Sequence, residues 1–317
     1  MPYIETGTVR IEYEALGDPL NSPLLLVMGL GMQMIAWPQS FCEALVAKGF
    51  YVIRFDNRDV GLSTHFHDAS TPNLLWGAAK FIMGIPLQSA YSLNDMADDT
   101  QQLLKALNIP RAHIVGASMG GMIAQQLAAR APEMVLSLVS IMSTTGRRSL
   151  PGPTAAARRA LMIKPAKRGD VEGAVTRMLS VLAAIGSPTR DAAGLPLYGA
   201  TEADLQAEAT VRRQFALAHT QRDYYPPGSA RQIFAIAAAG DRRADIARIV
   251  APTLVIHGAL DPLVPVAAGR DTANTIPGAK LQVVESMGHD LPSRLYPLLV
   301  DAIAGHCSGI ADRLKTA

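Results

Sequence analysis

The feature that most constrains this chain is a five-residue segment, Gly116-Ala117-Ser118-Met119-Gly120, between an apolar run and a strong helix former. The apolar run at residues 111–115 predicts a β-strand, and residues 121–129 predict an α-helix. A strand that passes directly into a helix needs a sharp turn, and small residues around the serine leave room for it. In this context the G-x-S-x-G pattern predicts a serine whose hydroxyl projects from a sheet edge, beside a helix N-terminus that favours negative charge.

Short apolar runs alternate with helical patterns on both sides of this turn. Residues 24–28, 51–55 and 135–141 predict strands, whereas residues 41–48 and 93–107 predict helices. Continuous apolar strands are typical of a sheet that is covered on both faces. The alternation of strand and helix therefore predicts a parallel α/β sheet with helices on both faces.

The alternation stops in the middle of the chain. Residues 146–240 show Ala-rich helical patterns, separated by Pro and Gly, and no convincing strand. This stretch holds thirteen Lys and Arg against seven Asp and Glu, a net charge of +6. We interpret these charged residues as the solvated faces of helices. Strands are predicted again at residues 252–257 and 280–284. We therefore expect a core domain of residues 1–145 and 241–317, with residues 146–240 as a helical cap inserted after the sixth strand.

Composition and charge exclude several function classes. A formal net charge of +2 over 317 residues gives no indication of a nucleic-acid partner. No apolar run reaches the ~18 residues that span a bilayer, so no membrane partner is expected, and the N-terminus shows no secretory signal. Cys42 and Cys307 form neither a C-x-x-C pattern nor a cluster with histidines, so no metal site or disulfide framework is expected. These features favour a cytoplasmic protein, and a homodimer is left open.

The predicted serine needs a base, because a serine hydroxyl does not lose its proton at neutral pH unaided. After a serine in this kind of turn, the expected chain order is acid and then histidine. His289 follows the final predicted strand, at the carboxyl edge where open α/β sheets gather their chemistry. The other six histidines precede the serine or lie inside strands, in the cap or near the C-terminus. His289 is therefore the predicted base.

The acid should lie between Ser118 and His289 on another loop of the same edge. Asp261 fits, because it follows the strand at residues 252–257 by a few positions. Asp290 is adjacent to the histidine and is expected to point away from the imidazole. Asp261 is therefore predicted to fix the tautomer of the histidine and to stabilise the imidazolium.

Backbone amides are the predicted donors to a developing oxyanion. One is the N–H of Met119, the residue after the serine, and the second should come from the loop at residues 28–32. Leu30 is favoured there because Gly29 lets the chain turn so that the next amide points inward. Gly29 and Gly31 remain rivals for this role.

Several methionines cluster around these positions, and they suit an adaptable wall for an apolar acyl or alkyl group. Ordinary core packing is at least as good an interpretation for Met28 and Met122. The predicted substrate-binding residues are Gly29, Gly31, Met32 and Met287.

A second motif connects the chain to a known family. Residues 56–63 follow a predicted strand and resemble the D-x-R-G-x-G-x-S stretch of α/β-hydrolase-fold esterases, with Asp59 where glycine is usual. In that comparison Asp56 and Arg58 have a structural role, tying the loop beneath the serine turn. The chain also carries Met28-Gly29 where many relatives have His-Gly.

These departures, together with Trp37-Pro38 and residues 288–292, resemble the aclacinomycin methylesterase-like branch of that family. The resemblance covers roughly residues 1–145 and 240–305 and fades in the cap. It implies an α/β-hydrolase fold with a mostly parallel eight-stranded sheet, and a serine carboxylesterase without a cofactor. Because the cap shapes the pocket, the resemblance does not imply an anthracycline substrate.

The sequence thus predicts a hydrolase of small to medium, largely apolar carboxylic esters that acts through an acyl-enzyme. A serine argues against epoxide hydrolases and haloalkane dehalogenases of this fold, which use a carboxylate nucleophile. Three alternatives stay open. These are a lactone hydrolase (including one acting on acyl-homoserine lactones), a carbon–carbon bond hydrolase with the same residues, and a hydrolase-like scaffold that binds a small molecule without turnover.

Overall fold

The computed structural model describes residues 2–7 and 9–315, with side chains described up to residue 309. The strands of the described chain are β1 (Tyr3–Thr6), β2 (Val9–Leu16), β3 (Ser22–Val27), β4 (Phe50–Phe55), β5 (Ala112–Ala117), β6 (Val135–Ile141), β7 (Thr253–Gly258) and β8 (Lys280–Val284). The helices are α1 (Gln39–Ala47), α2 (Leu74–Ile82), α3 (Leu93–Ala106), α4 (Met119–Arg130), α5 (Ala155–Leu161), α6 (Val171–Ile185), α7 (Glu202–Arg222), α8 (Pro226–Ala239), α9 (Arg243–Ile246), α10 (Val266–Thr275) and α11 (Tyr296–Lys315).

The strands form one sheet in the order β1-β2-β4-β3-β5-β6-β7-β8. Strands β3 to β8 pair in parallel, whereas β1 with β2 and β2 with β4 pair antiparallel. The predicted mostly parallel, eight-stranded sheet is therefore confirmed. Because parallel strands all end at the same edge, the loops after β3, β5, β7 and β8 can meet there.

Helices cover both faces of the sheet, because successive side chains of a strand point to opposite sides. Leu25 of β3 belongs to the same buried cluster as Leu103 of α3. Its neighbour Leu26 belongs to a second cluster, with Phe41 of α1 and Leu299 of α11. All these side chains are fully buried, and burial of a leucine or phenylalanine contributes about 1.5–3 kcal/mol to stability. This double coverage explains why the strands read as continuous apolar runs.

The chain between β6 and β7 forms the helices α5 to α8, and we call residues 146–240 the insertion. Among its described residues, the β-pairing is a single bridge between Arg190 and Pro196. Helix α6 packs against α5 and α7, whereas α8 contacts α2 and α3. The insertion thus reaches the helices on one face of the sheet through α8.

Within the part of the chain that the structure describes, no helix is long and apolar enough to cross a membrane.

Candidate active site

Ser118 stands between the last residue of β5 and the first residue of α4. Its backbone has φ 56° and ψ −119°, a conformation that L-residues rarely adopt. Such a residue costs about 1–3 kcal/mol and persists only where its surroundings hold it. Here the Ser118 amide donates to the Ile141 carbonyl at 2.8 Å, and the Ser143 hydroxyl donates to the Ser118 carbonyl at 2.8 Å. The predicted sharp turn is therefore present, with its serine half-buried at the sheet edge.

The two glycines of the motif are required by close backbone contacts. A Cβ atom at Gly116 would lie 2.3 Å from the Gly120 carbonyl oxygen, and one at Gly120 would lie 2.0 Å from the Val27 carbonyl oxygen. Both distances are far shorter than any van der Waals contact. Small residues thus let β5, α4 and β3 approach each other closely enough to fix the turn.

The structure brings the three predicted side chains together at this edge. Ser118 Oγ lies 3.0 Å from His289 Nε2, and His289 Nδ1 lies 2.7 Å from Asp261 Oδ2. The other carboxylate oxygen of Asp261 accepts from the amides of Leu263 and Val264, at 2.9 and 2.8 Å. With the carboxylate accepting the Nδ1–H, Nε2 is left free to accept the serine hydroxyl proton. Both Asp261 and His289 are buried, which strengthens the electrostatic interaction between them.

A second histidine lies behind the carboxylate. His257 Nε2 is 3.7 Å from Asp261 Oδ2 and donates to the Val264 carbonyl at 2.7 Å. Burial lowers the pKa of His257, so the ring is neutral at pH 7 and adds no second positive charge beside Asp261. His257 lies inside β7, where the sequence predicts a strand, and its contact with Asp261, four residues further on, depends on the turn that follows the strand.

Asp290 faces away from the histidine ring, as expected. Its Oδ1 accepts from both the amide and the hydroxyl of Ser187, at 2.8 and 2.5 Å, and Arg212 lies 3.7 Å from its other oxygen. The backbone amide of His289 donates to the Ile185 carbonyl at 2.8 Å. The insertion therefore holds the loop that carries His289.

The glycine-containing loop after β3 lies directly over the serine. A Cβ atom at Gly29 would be 3.1 Å from Ser118 Cβ. The next glycine, Gly31, has φ 65°, and its amide donates to Gln232 Oε1 at 2.8 Å. Because this amide already has an acceptor, Gly31 is a poor candidate for an oxyanion donor.

The other predicted donors are uncommitted. Among the described residues, the amides of Leu30, Met119 and Gly29 donate to no protein acceptor. Leu30 and Met119 therefore remain the favoured pair, and Gly29 remains a rival to Leu30. Met119 is the first residue of α4, and Gly29, the residue before Leu30, lies beside Ser118, a placement that suits a site that stabilises negative charge.

Side chains from two distant segments support this loop. Gln232 of α8 accepts the Gly31 amide and also donates through Nε2 to the Arg58 carbonyl at 2.9 Å. Asp56 accepts the Met34 amide at 2.7 Å, and Asn57 Nδ2 donates to the Met28 carbonyl at 2.8 Å. Gln232 is not recognisable from the sequence, because 201 positions separate it from Gly31 and no local pattern marks such a contact.

Arg58, the arginine of the second motif, does not bind the same loop as Asp56. Arg58 binds Asp99 of α3 through two hydrogen bonds, at 2.6 and 2.8 Å. It thereby fastens the start of the loop at residues 56–63 to the helix layer. This agrees with the structural role that the family resemblance implies.

Asp59 occupies the position where the resembled motif carries glycine. Its φ is 66°, which explains the usual glycine. Arg231 of α8 donates two hydrogen bonds to the Asp59 carboxylate, at 2.7 and 2.8 Å, and both side chains are almost completely buried. Burial alone would raise the pKa of Asp59, but bonds from Arg231 and the Phe66 amide hold it below its ordinary value. The pair therefore stays ionised and ties α8 to the loop after β4.

The predicted methionine wall is only partly present. Met32 is half-exposed, and its amide donates to the Gly29 carbonyl at 3.2 Å, so it belongs to the loop over the serine. Met287, by contrast, has no exposed surface and packs in the cluster that contains Met28 and Trp37. The prediction that Met287 contacts substrate is therefore wrong for this structure, since core packing leaves it no surface for a ligand to reach.

Nowhere among the described residues do three or more His, Cys, Asp or Glu side chains come together in a group that could hold a metal ion.

Comparisons with known proteins agree with this fold. A family model for the alpha/beta hydrolase fold matches residues 22–175. Rhodomycin D methylesterase DauP of Streptomyces sp. (strain C5) is 30% identical over 325 residues, which cover 96% of each chain. Rhodomycin D methylesterase DnrP of Streptomyces peucetius is 29% identical, again over 96% of each chain. Among solved structures, the enol-lactonase from Burkholderia xenovorans LB400 matches with a TM-score of 0.69 and 22% identity, covering 97% of this chain and 100% of that one. This chain belongs to the α/β-hydrolase family and resembles its aclacinomycin methylesterase-like branch.

Proposed function

We propose that this protein is a carboxylic-ester hydrolase that works through Ser118, His289 and Asp261. The observation that carries the proposal is the continuous set of hydrogen bonds from Ser118 Oγ through the His289 ring to the Asp261 carboxylate. The two methylesterases, similar over nearly their whole lengths, support ester chemistry.

In the first half of the reaction, Ser118 Oγ attacks the ester carbonyl carbon and its proton passes to His289 Nε2. The carbonyl oxygen becomes an oxyanion, which the amides of Met119 and Leu30 stabilise. When the tetrahedral intermediate collapses, the bond to the leaving alkoxide breaks, and the alkoxide takes the proton from the imidazolium. The products are an alcohol and an acyl-enzyme.

In the second half, water attacks the acyl carbon while His289 accepts its proton. Collapse of this second intermediate breaks the bond to Ser118, and the histidine returns the proton to Oγ. Asp261 keeps the ring in one tautomer and stabilises its positive charge at each step. The cycle consumes one water and needs no cofactor.

The proposed substrates are small to medium, largely apolar esters. The half-exposed Met32 and the loop at residues 28–32 offer an apolar surface beside the serine, and a methionine side chain adapts readily to different groups. The insertion acts as the cap over this surface, because Gln232 contacts the loop directly. A panel of p-nitrophenyl esters from acetate to palmitate, lactones and methyl esters of bulky acids would define the preference.

The test of the proposed function is covalent labelling with a fluorophosphonate probe, followed by mass spectrometry of the labelled peptide. We expect wild-type protein to be labelled at Ser118 and Ser118→Ala to stay unlabelled. Ser180→Ala, which removes an exposed serine of α6, serves as the matched control and should label normally. Either absence of label on the wild-type protein or undiminished label on Ser118→Ala would overturn the proposed function, and the first result would favour a non-catalytic binding scaffold.

A further inference from the structure

An apolar surface on α2 has no partner within the described chain. Leu75, Trp76, Ile82 and Met83 are exposed, with Trp76 at 59% and Ile82 at 82%. Leu75 and Ile82 are seven residues apart, as are Trp76 and Met83, and this spacing returns to the same side of an α-helix. We call these four residues the α2 face. A patch of large apolar side chains in water indicates an interaction site.

The opposite side of α2 is the one that packs onto the protein. A Cβ atom at Gly77 would lie 2.2 Å from the ring of Phe234 in α8, so the two helices touch there. Helix α8 in turn contacts the loop over Ser118 through Gln232, two residues before Phe234 and so on the other side of α8. Helix α2 is therefore the outermost layer above the candidate active site, and its apolar face points outward.

The exposed apolar surface continues beyond the helix. Residues 81–86, Phe-Ile-Met-Gly-Ile-Pro, are all exposed. Between residues 69 and 91 the sequence holds no Asp or Glu, and its single charge is Lys80. An apolar surface without acidic residues is compatible with a negatively charged partner.

Positive charge adjoins the end of α2. The Arg148 guanidinium lies 4.7 Å from the centre of the Phe81 ring and donates to the Phe81 carbonyl. Arg148 belongs to residues 142–169, which contain seven Lys and Arg and no Asp or Glu. All seven of these basic residues are exposed. Apolar residues flanked by basic ones, with a tryptophan among them, are typical of helices that lie in the interface of an anionic bilayer.

We propose that the α2 face docks on the surface of a bilayer that contains anionic lipid. Trp76, Ile82 and their neighbours enter the boundary between headgroups and acyl chains, while Lys80 and Arg148 contact lipid phosphates. The sequence predicts no membrane partner because it holds no spanning segment, but a helix that lies on the membrane surface needs none. This docking goes beyond ester hydrolysis and does not depend on it.

The test exploits the two tryptophans of the chain. Trp37 is fully buried and Trp76 is exposed, so a change in tryptophan emission on binding reports on the α2 face. The probes are vesicles of phosphatidylcholine alone and of equal parts phosphatidylcholine and phosphatidylglycerol. We expect the protein to sediment with the anionic vesicles, its emission to move to shorter wavelength, and both effects to weaken in high salt.

Variants separate this surface from the rest of the molecule. Ile82→Asp should weaken binding at least ~10-fold, because an ionised side chain replaces one that the interface buries. Trp76→Phe should still bind but lose the emission shift. Val250→Asp is the matched control, since Val250 is an exposed apolar residue before β7, at the opposite edge of the sheet, and it should bind normally. Ser118→Ala should also bind normally, which keeps a failure of docking distinct from a failure of the proposed chemistry.

Three results would overturn the proposal. One is that the protein binds no vesicle. Another is that wild-type protein binds pure phosphatidylcholine as well as it binds the anionic vesicles, or that Ile82→Asp binds the anionic vesicles as well as wild-type protein does. The third is a dimer whose Trp76 emission is already at short wavelength without lipid, which would assign the α2 face to self-association.

Discussion

The backbone conformation of Ser118 is held by contacts of its main chain and not by its hydroxyl. The unusual φ of 56° is held by hydrogen bonds to the main chain of Ile141 and from the side chain of Ser143. Neither bond involves Ser118 Oγ. Removal of the hydroxyl should therefore leave the turn intact, so variants at this position can be interpreted in terms of chemistry alone.

If Ser118 and His289 act as one unit, their losses should not multiply. Ser118→Ala and His289→Ala are each expected to lower kcat at least ~10⁴-fold, and the double variant should lose little more. The measurement is steady-state hydrolysis of a p-nitrophenyl ester, with circular dichroism to verify folding. Two independent losses that multiply would contradict a shared mechanism.

In the proposed mechanism Gln232 is a positioning residue, since it accepts a hydrogen bond from the amide of Gly31, the residue next to Leu30. Gln232→Met removes both of its hydrogen bonds and should lower kcat ~10-fold to ~10²-fold with little change in KM, less than the ~10²–10³-fold loss of a whole oxyanion donor. Gln206→Met, on the exposed surface of α7, is the matched control. A raised KM with unchanged kcat would mean that Gln232 acts on substrate binding instead.

At the scale of elements, the buried pair between Asp59 and Arg231 connects α8 to the loop after β4. A buried charge is tolerated only beside an opposite charge, and Arg231→Ala would leave the Asp59 carboxylate without one. This change should therefore lower the free energy of unfolding by about 3–5 kcal/mol. The double change Asp59→Asn and Arg231→Met should regain part of that loss, because no uncompensated charge remains.

Urea denaturation of these variants measures the effect. Arg190→Ala is the control, because Arg190 also makes a two-point contact, with Glu202, but on the exposed surface. It should cost little. Equal losses for Arg190→Ala and Arg231→Ala would show that burial is not what makes the inner pair strong.

The order of elements was predictable from sequence because apolar spacing reports directly on strands and helices. The strand at residues 135–141 and the one at residues 280–284 were located to the residue. The three candidate side chains could be selected because each follows a recognisable strand and the required chain order is known. Gln232 and Arg231 could not be selected, since their partners are 201 and 172 positions away in the sequence and only tertiary packing brings them together.

At the scale of the whole molecule, two buried histidines make stability depend on pH. Burial lowers the pKa of His113 in β5 and of His219 in α7 to about 4, whereas an unfolded histidine titrates near pH 6.5. Between these values the unfolded chain binds more protons than the folded one. The free energy of unfolding should therefore fall as the pH falls from about 6.5 to about 4, by up to about 1.4 kcal/mol per pH unit for each histidine.

Urea unfolding at about pH 7 and about pH 5 measures this loss. His113→Gln and His219→Gln should each reduce the difference between the two conditions. His67→Gln, at an exposed position, should leave it unchanged. A difference that survives both changes would place the acid sensitivity in other groups.

The hydrogen bond between the Gly31 amide and Gln232 has a consequence for the exchange of helices between relatives of this fold. In the proposed function the insertion covers the substrate, and it also holds two loops at the carboxyl edge of the sheet, one through Gln232 and the other through Ile185. If the helices of the insertion were replaced by those of a relative, the pocket would change, and the hydrogen bonds that hold the two loops would be lost at the same time. Under the proposed function, specificity and turnover therefore change together, unless the residues that contact the loop over Ser118 are transferred with the helices.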